Sequence, residues 1–163
     1  MKKILFVLVS LVMSVSMFAQ NYMSNKWHVY VDAGMGTFVH ETGDYSAVLA
    51  GGSVTVGYQF TDCVNVGLGI SPVGAVDSWG TGGQRSFEVP VYAQIRLDDM
   101  NKKVSPFGQL RLGAAFGENS TTAFQFNLGA GVRIHHFTIG AEFVEDVNHG
   151  SVGYVMGKIG LVF

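Results

Sequence analysis

From Lys26 to Phe163 apolar and non-apolar residues alternate with a period of two, the mark of strands that present two different faces. Eight runs carry the pattern. In the first, Trp27, Val29, Val31, Ala33 and Met35 share one face, and His28, Tyr30, Asp32, Gly34 and Gly36 share the other. The second and third cover residues 53–60 and 64–71. The fourth, 87–97, is the cleanest, with Phe87, Val89, Val91, Ala93, Ile95 and Leu97 opposed to Glu88, Pro90, Tyr92, Gln94 and Arg96. The remaining four span 109–116, 124–133, 137–143 and 155–163. Runs of roughly ten residues match the length a tilted strand needs to cross a bilayer.

The connectors give a second signal. Residues 61–63, 98–103 and 135–136 read as tight turns, and 38–49, 72–85, 117–121 and 144–151 as mostly longer loops. Short turns at one end and longer loops at the other is the arrangement of an up-and-down membrane barrel, and an even strand count returns both termini to the short-turn side.

An eight-stranded barrel also exists in soluble form, with its apolar face inward. The faces of this chain predict the reverse. The non-apolar face carries Gly34, Gly57, Gly67, Gly113, Gly129, Gly140 and Gly160 with few charges among them, which suits the narrow interior of eight strands. The other face is Val, Leu, Ile, Ala and Phe on every run, as lipid contact requires. Aromatics stand near its ends, Trp27, Phe60, Phe137 and Phe163 at one and Phe87, Phe116, Phe124 and Phe143 at the other. The predicted fold is therefore all-β: an eight-stranded antiparallel up-and-down transmembrane β-barrel, inside-out relative to a soluble protein.

Composition agrees. Hydrophobic residues make up 48% of the 163 but charged residues only 13%, about half the usual soluble share. Glycine is frequent (22) and proline scarce (3), against a helical bundle. After the N-terminal stretch no apolar run reaches 18 residues, so a spanning helix is not predicted. A net charge of −2 gives no electrostatic case for nucleic acid.

The N-terminus reads as an export signal. Lys2 and Lys3 precede an apolar stretch from Ile4 to Met13, and small residues up to Ala19 supply a cleavage site. Cleavage after Ala19 divides the chain into a signal peptide, 1–19, and a barrel domain, 20–163; cleavage after Ser16 is the alternative. The single cysteine, Cys63, falls in a turn and reads as unpaired.

The last run, from Tyr154 to Phe163, ends on an aromatic with Ile159 and Leu161 at alternate positions before it. It resembles the C-terminal assembly signal of outer-membrane barrels. Residues 87–97 and 126–133 resemble strands of the small OmpA/OmpX-like "outer membrane protein beta-barrel domain" families, and the likeness extends over the whole mature chain. It implies export to the outer membrane, periplasmic termini, assembly by the barrel-assembly machinery, lipids as neighbours and a monomer. It implies no single activity.

The inward phase holds Asp32, Glu88 and Glu142 against Arg96, Arg111, Arg133 and Lys158. Near balance of charge predicts mutual pairing in a filled lumen, with Arg111 close to Glu88 and within a diagonal step of Glu142, and Asp32 near Lys158 at the closing seam. Three Gly-x-Gly triplets open no helix, so phosphate binding has no context. Adjacent His135 and His136 point to opposite sides of an extended chain, poor geometry for one metal. His40, Glu41 and Asp44 share a loop, as do Glu145, Asp146 and His149, and solvated loop charge is the simpler account of both. No cofactor or metal is expected.

Three functions remain open. The leading one is a non-enzymatic barrel with a structural or surface-interaction role through its loops, with Trp79 in the longest loop as a contact candidate. The second is a narrow pore for small solutes. The third is a lipid-modifying enzyme similar to the lipid A deacylases, where His149, Ser151 and Glu145 resemble a family motif whose following Asn is Val152 here.

Overall fold

A computed structural model describes residues 26–40, 46–79, 87–117, 122–147 and 152–163. The proposed signal peptide, 1–19, lies outside the described residues. Nine strands run β1 Trp27–His40, β2 Ser46–Gln59, β3 Val64–Ile70, β4 Val73–Trp79, β5 Phe87–Asp98, β6 Val104–Gly117, β7 Thr122–Ile134, β8 Phe137–Asp146 and β9 Val152–Val162. All pairings are antiparallel and follow chain order except that β3 and β4 both lie between β2 and β5, and β1 pairs with both β2 and β9, so the sheet closes on itself.

The nine strands make eight staves. β3 and β4 pair with the same two neighbours, β2 and β5, and lie end to end across Ser71 and Pro72. Proline cannot donate to a sheet ladder, but the joint keeps its remaining bonds: Ser71 N–H donates to Pro90 O at 2.9 Å and Gly52 N–H to Pro72 O at 3.0 Å. This corrects the sequence reading, which ends the third run at Ser71 and assigns 72–85 to a loop. Trp79 is therefore the last residue of a strand, with its backbone opposite Ser46, and not a loop residue. β1 and β2 likewise reach His40 and Ser46, β8 reaches Asp146 and β9 starts at Val152. The expected loops contract to 41–45, 80–86, 118–121 and 148–151, all outside the described residues.

Strand stagger follows from the register. The row of paired residues starting at Leu97 passes through Gly108, Ala130, Ala141, Gly157, Met35, Ala50 and Gly74. It returns to β5 at Phe87, ten residues from its starting point. Closing a small barrel with stagger of this kind tilts the strands by about 40°. A 14-residue strand such as β1 then stands about 35 Å tall, against an apolar band of about 25 Å.

The two faces separate as the alternation predicts. Outward residues are open, among them Leu68 (70% exposed), Leu128 (56%) and Ile159 (54%), whereas the inward Arg96, Arg111 and Glu142 are each 1% exposed. Apolar residues outside and buried charge inside is the membrane arrangement. Trp27, Tyr58 and Phe60 meet edge to face at 5.1 Å near the short-turn end, one segment of an aromatic girdle.

Close packing explains the inward glycines. A Cβ on Gly69 would stand 2.7 Å from Tyr92 Oη and 2.8 Å from Thr55 Oγ1, where those two hydroxyls share a hydrogen bond of 2.7 Å. The turns are economical too. His135 and His136 alone join β7 to β8, with His135 at φ 56°, and Thr61 Oγ1 accepts from Val64 N–H at 3.1 Å. Cys63 is exposed and makes no disulfide.

Candidate functional site: a three-layered lumen

Because every second residue points inward, the lumen is lined by the inward positions of eight staves at successive heights. At the short-turn end, Asp98 on β5 lies between two arginines. Arg96 Nη2 donates to Asp98 Oδ2 at 3.2 Å, and Arg133 Nε to Oδ1 and Oδ2 at 3.1 and 3.0 Å. Arg133 also caps the turns below, donating to the carbonyls of His135, Asp99 and Lys102 at 2.8, 2.7 and 3.1 Å. The Arg96 guanidinium lies over the Phe107 ring at 3.7 Å and near the Tyr30 ring at 4.7 Å, so its faces are covered by π systems.

The middle layer is built on Arg111 of β6. Its Nη1 donates to Glu142 Oε1 and Oε2 at 3.2 and 3.1 Å, its Nη2 to Asp32 Oδ2 at 3.2 Å and its Nε to Gln94 Oε1 at 2.8 Å. One guanidinium thus ties β5, β8 and β1 together across the barrel, a use of the fixed donor fork that lysine does not offer. Lys158 makes a second ion pair to Glu142, and Asn127 Nδ2 donates to Glu142 Oε1 at 3.0 Å. Ser53 Oγ donates to Asp32 Oδ2 at 3.0 Å.

The third layer, toward the opposite end, is apolar. Leu49, Val73, Val144, Tyr154 and Met156 are buried together with Phe38 packed on them. All are inward positions, so hydrocarbon lines most of this level of the lumen, with Glu88 opposite Val73.

Of the inward charges picked out from sequence, Asp32, Arg111, Glu142 and Lys158 meet in one cluster, and Arg96 and Arg133 meet in another. Glu88 does not join Arg111. It stands opposite Gly117 and Val73, three inward steps along β5 from Gln94, which is the residue facing Arg111. Sequence reasoning misses Asp98 by placing it in a turn. Its signal is parity, since it continues the inward series 88, 90, 92, 94, 96. Outside the spanning strands, Asp99 is held below the ordinary carboxylate pKa by its hydrogen bond from Lys102, which pairs with it at 2.8 Å.

Ile159 and Leu161 face outward on the closing strand. Phe163 completes the seam, its N–H donating to Val29 O at 3.0 Å and its carbonyl accepting from Val29 N–H at 2.9 Å. Phe163→Ala leaves both backbone bonds possible while deleting the aromatic of the expected assembly signal. It should lower the yield of assembled barrel in cell membranes several-fold, and a normal yield would show that the terminal aromatic is not read during assembly. Of the enzyme candidates, His149 and Ser151 lie outside the described residues, and Glu145 is on β8 opposite Phe126 and Gly153.

No family model matches the chain, and no curated protein matches it. Solved structures do. Neisserial surface protein A superposes with a TM-score of 0.64 at 15% identity, covering 83% of this chain and 95% of that one. The outer membrane enzyme PagL gives 0.59 at 11%, covering 82% and 98%. Ail, the attachment invasion locus protein of Yersinia pestis, gives 0.51 at 18%, covering 86% and 100%. At these identities the likeness is one of fold: the closed eight-stranded barrel of small outer-membrane proteins.

Proposed function

We propose that this chain is a non-enzymatic, non-conducting integral protein of the outer membrane, whose barrel is a rigid mount for a surface-interaction rim. The filled lumen carries the proposal. Two layers of paired charge and one largely of hydrocarbon stack in the interior among the described residues, and eight strands enclose only enough space for such side chains. Above the charged layers the described inward side chains are mostly hydrocarbon, which does little to replace the hydration of a passing ion.

Membrane placement is supported by the open apolar exterior and its aromatic ends, and the termini would then lie on the periplasmic, short-turn side. The strands outreach the apolar band, so the loop end projects past the bilayer as ordered β-structure with Trp79 on the last position of β4. Such a rim is a surface on which a partner or lipopolysaccharide headgroups can rest. Two of the fold relatives are named for surface location and attachment, in line with this reading. Outer-membrane lipids and, during biogenesis, the barrel-assembly machinery are the partners implied, and the barrel is self-sufficient as a monomer.

Planar-bilayer recording tests the claim directly. The purified barrel should insert without giving stable unitary currents. Reproducible channels would overturn the plug and establish the pore instead. Fractionation with a heat-modifiable shift in gel mobility checks the placement separately.

A further inference from the structure

The lipid-facing surface, among the described residues, carries a trough. Along the outward row from β6 to β8 the side chains are only Gly108, Ala130 and Ala141. A groove of about 680 Å³ lies over them, walled by Leu97, Leu110, Leu128 and Phe143. A Cβ on Gly108 would meet nothing within 4 Å, and one on Gly157, next in the row, only Met35 O at 3.9 Å. The backbone there is unstrained and uncrowded, so neither glycine is required by packing within the barrel. The inward glycines, by contrast, are hemmed in by neighbouring atoms.

The stagger gives the trough a direction. It opens at Gly108, near the start of β6 and the short-turn end, and climbs to Gly157 at the middle of β9. Three strand spacings from β6 to β9 make it about 14 Å long. Half of a bilayer's hydrocarbon core is about 15 Å thick, so the trough stays within one leaflet and has room for most of one acyl chain lying obliquely in it. The rim beneath its low end is basic. Lys103 is exposed there, and its carbonyl accepts from His135 N–H at 2.6 Å, which brings the two turns together. Of the acidic residues of this end, Asp62 lies in the turn before β3, and Asp99, in the same turn as Lys103, is held by Lys102.

We infer that the trough seats one acyl chain of a glycerophospholipid from the leaflet on the short-turn side, with the lipid phosphate directed to Lys103. The inference rests on the membrane placement proposed above. The occupant follows from three features together: an apolar groove within the bilayer, a length matched to one leaflet, and a cation at the end where the headgroup lies.

Native mass spectrometry of the detergent-solubilised barrel, titrated with palmitoyl-oleoyl-phosphatidylglycerol, reads the result. Wild-type protein should take up one lipid at least tenfold more tightly than any further lipid. Gly108→Phe, which fills the trough, should abolish that distinction, whereas Leu112→Phe, outward but outside the trough, should keep it. Lys103→Gln should weaken phosphatidylglycerol binding several-fold and leave phosphatidylcholine binding unchanged. Identical titrations for wild type and Gly108→Phe would overturn the trough as the site, and identical titrations for Lys103→Gln would overturn the headgroup contact. A heat-modifiable gel shift for every variant shows that the barrel has assembled. A barrel that inserts into vesicles yet binds no discrete lipid refutes this inference alone, while one that fails to insert refutes the membrane placement as well.

Discussion

Replacing Glu142 by alanine lowers the unfolding free energy by about 3–5 kcal/mol, the range for removing one partner of a buried ion pair. The size follows from what is left behind. Arg111 and Lys158 both lose the carboxylate they share, and Asn127 loses its acceptor. Asp32 alone then faces two cations. Glu142→Gln keeps the side-chain volume and one acceptor oxygen, so its loss should be clearly smaller, closer to the worth of hydrogen bonds to charged groups, about 1.5–3 kcal/mol. Urea titration of the barrel in lipid vesicles, followed by tryptophan fluorescence and gel mobility, measures both. Equal stability of the alanine variant and the wild type would mean that water solvates this layer, and the case for a sealed lumen would fail with it.

Val91→Arg should be the most damaging substitution on the outside, costing about 2–4 kcal/mol if Val91 lies near the bilayer midplane. Val91 is 48% exposed and pairs with Ile70 and Ala114 in the middle of its stave. On a soluble protein so open a position accepts arginine with little effect, so the change separates the two environments. Val91→Leu, equally bulky but apolar, should assemble normally. Assembly of both variants in equal yield would contradict lipid contact at this face. Gln94, an inward neighbour, is no neutral control, because it accepts from Arg111 and a cation there would oppose that guanidinium.

Sequence reveals the inside-out sheet because lipid demands the same thing of every stave. An outward residue must be apolar, while an inward one is small, polar or charged over most of the chain, so the contrast stays visible. It fails where that contrast vanishes. Leu49, Val73, Val144 and Tyr154 line the apolar layer and sit next to outward Val48, Phe143 and Val155, so both faces read alike and the strands seem to stop. Pro72 strengthens the false ending. Pairing across the lumen is hidden for another reason. Hairpin register predicts which residues are neighbours along the wall, but Arg111 and Asp32 are on β6 and β1, which share no ladder. Their meeting depends on the diameter of the closed ring, whereas the expected contact of Glu88 with Arg111 fails on register, since the β5–β6 ladder sets Gln94 opposite Arg111. Asp98 follows the inward parity throughout and is lost only because the sequence reading starts the turn at residue 98.

The seam between β1 and β9 constrains the order of events in the life of the chain. Every other ladder joins strands that follow one another closely, so each can zip as soon as its hairpin exists. The seam waits for β9, as the β8–β9 ladder does, and it alone must bring together the two ends of the barrel. Until then β1 and β8 each present an unpaired edge, the kind of template on which foreign strands add, and the closure carries the largest loop entropy of any step. Docking of β9 is thus both the step that lets the ring shut and the end of the period in which the unfinished sheet is open to foreign strands.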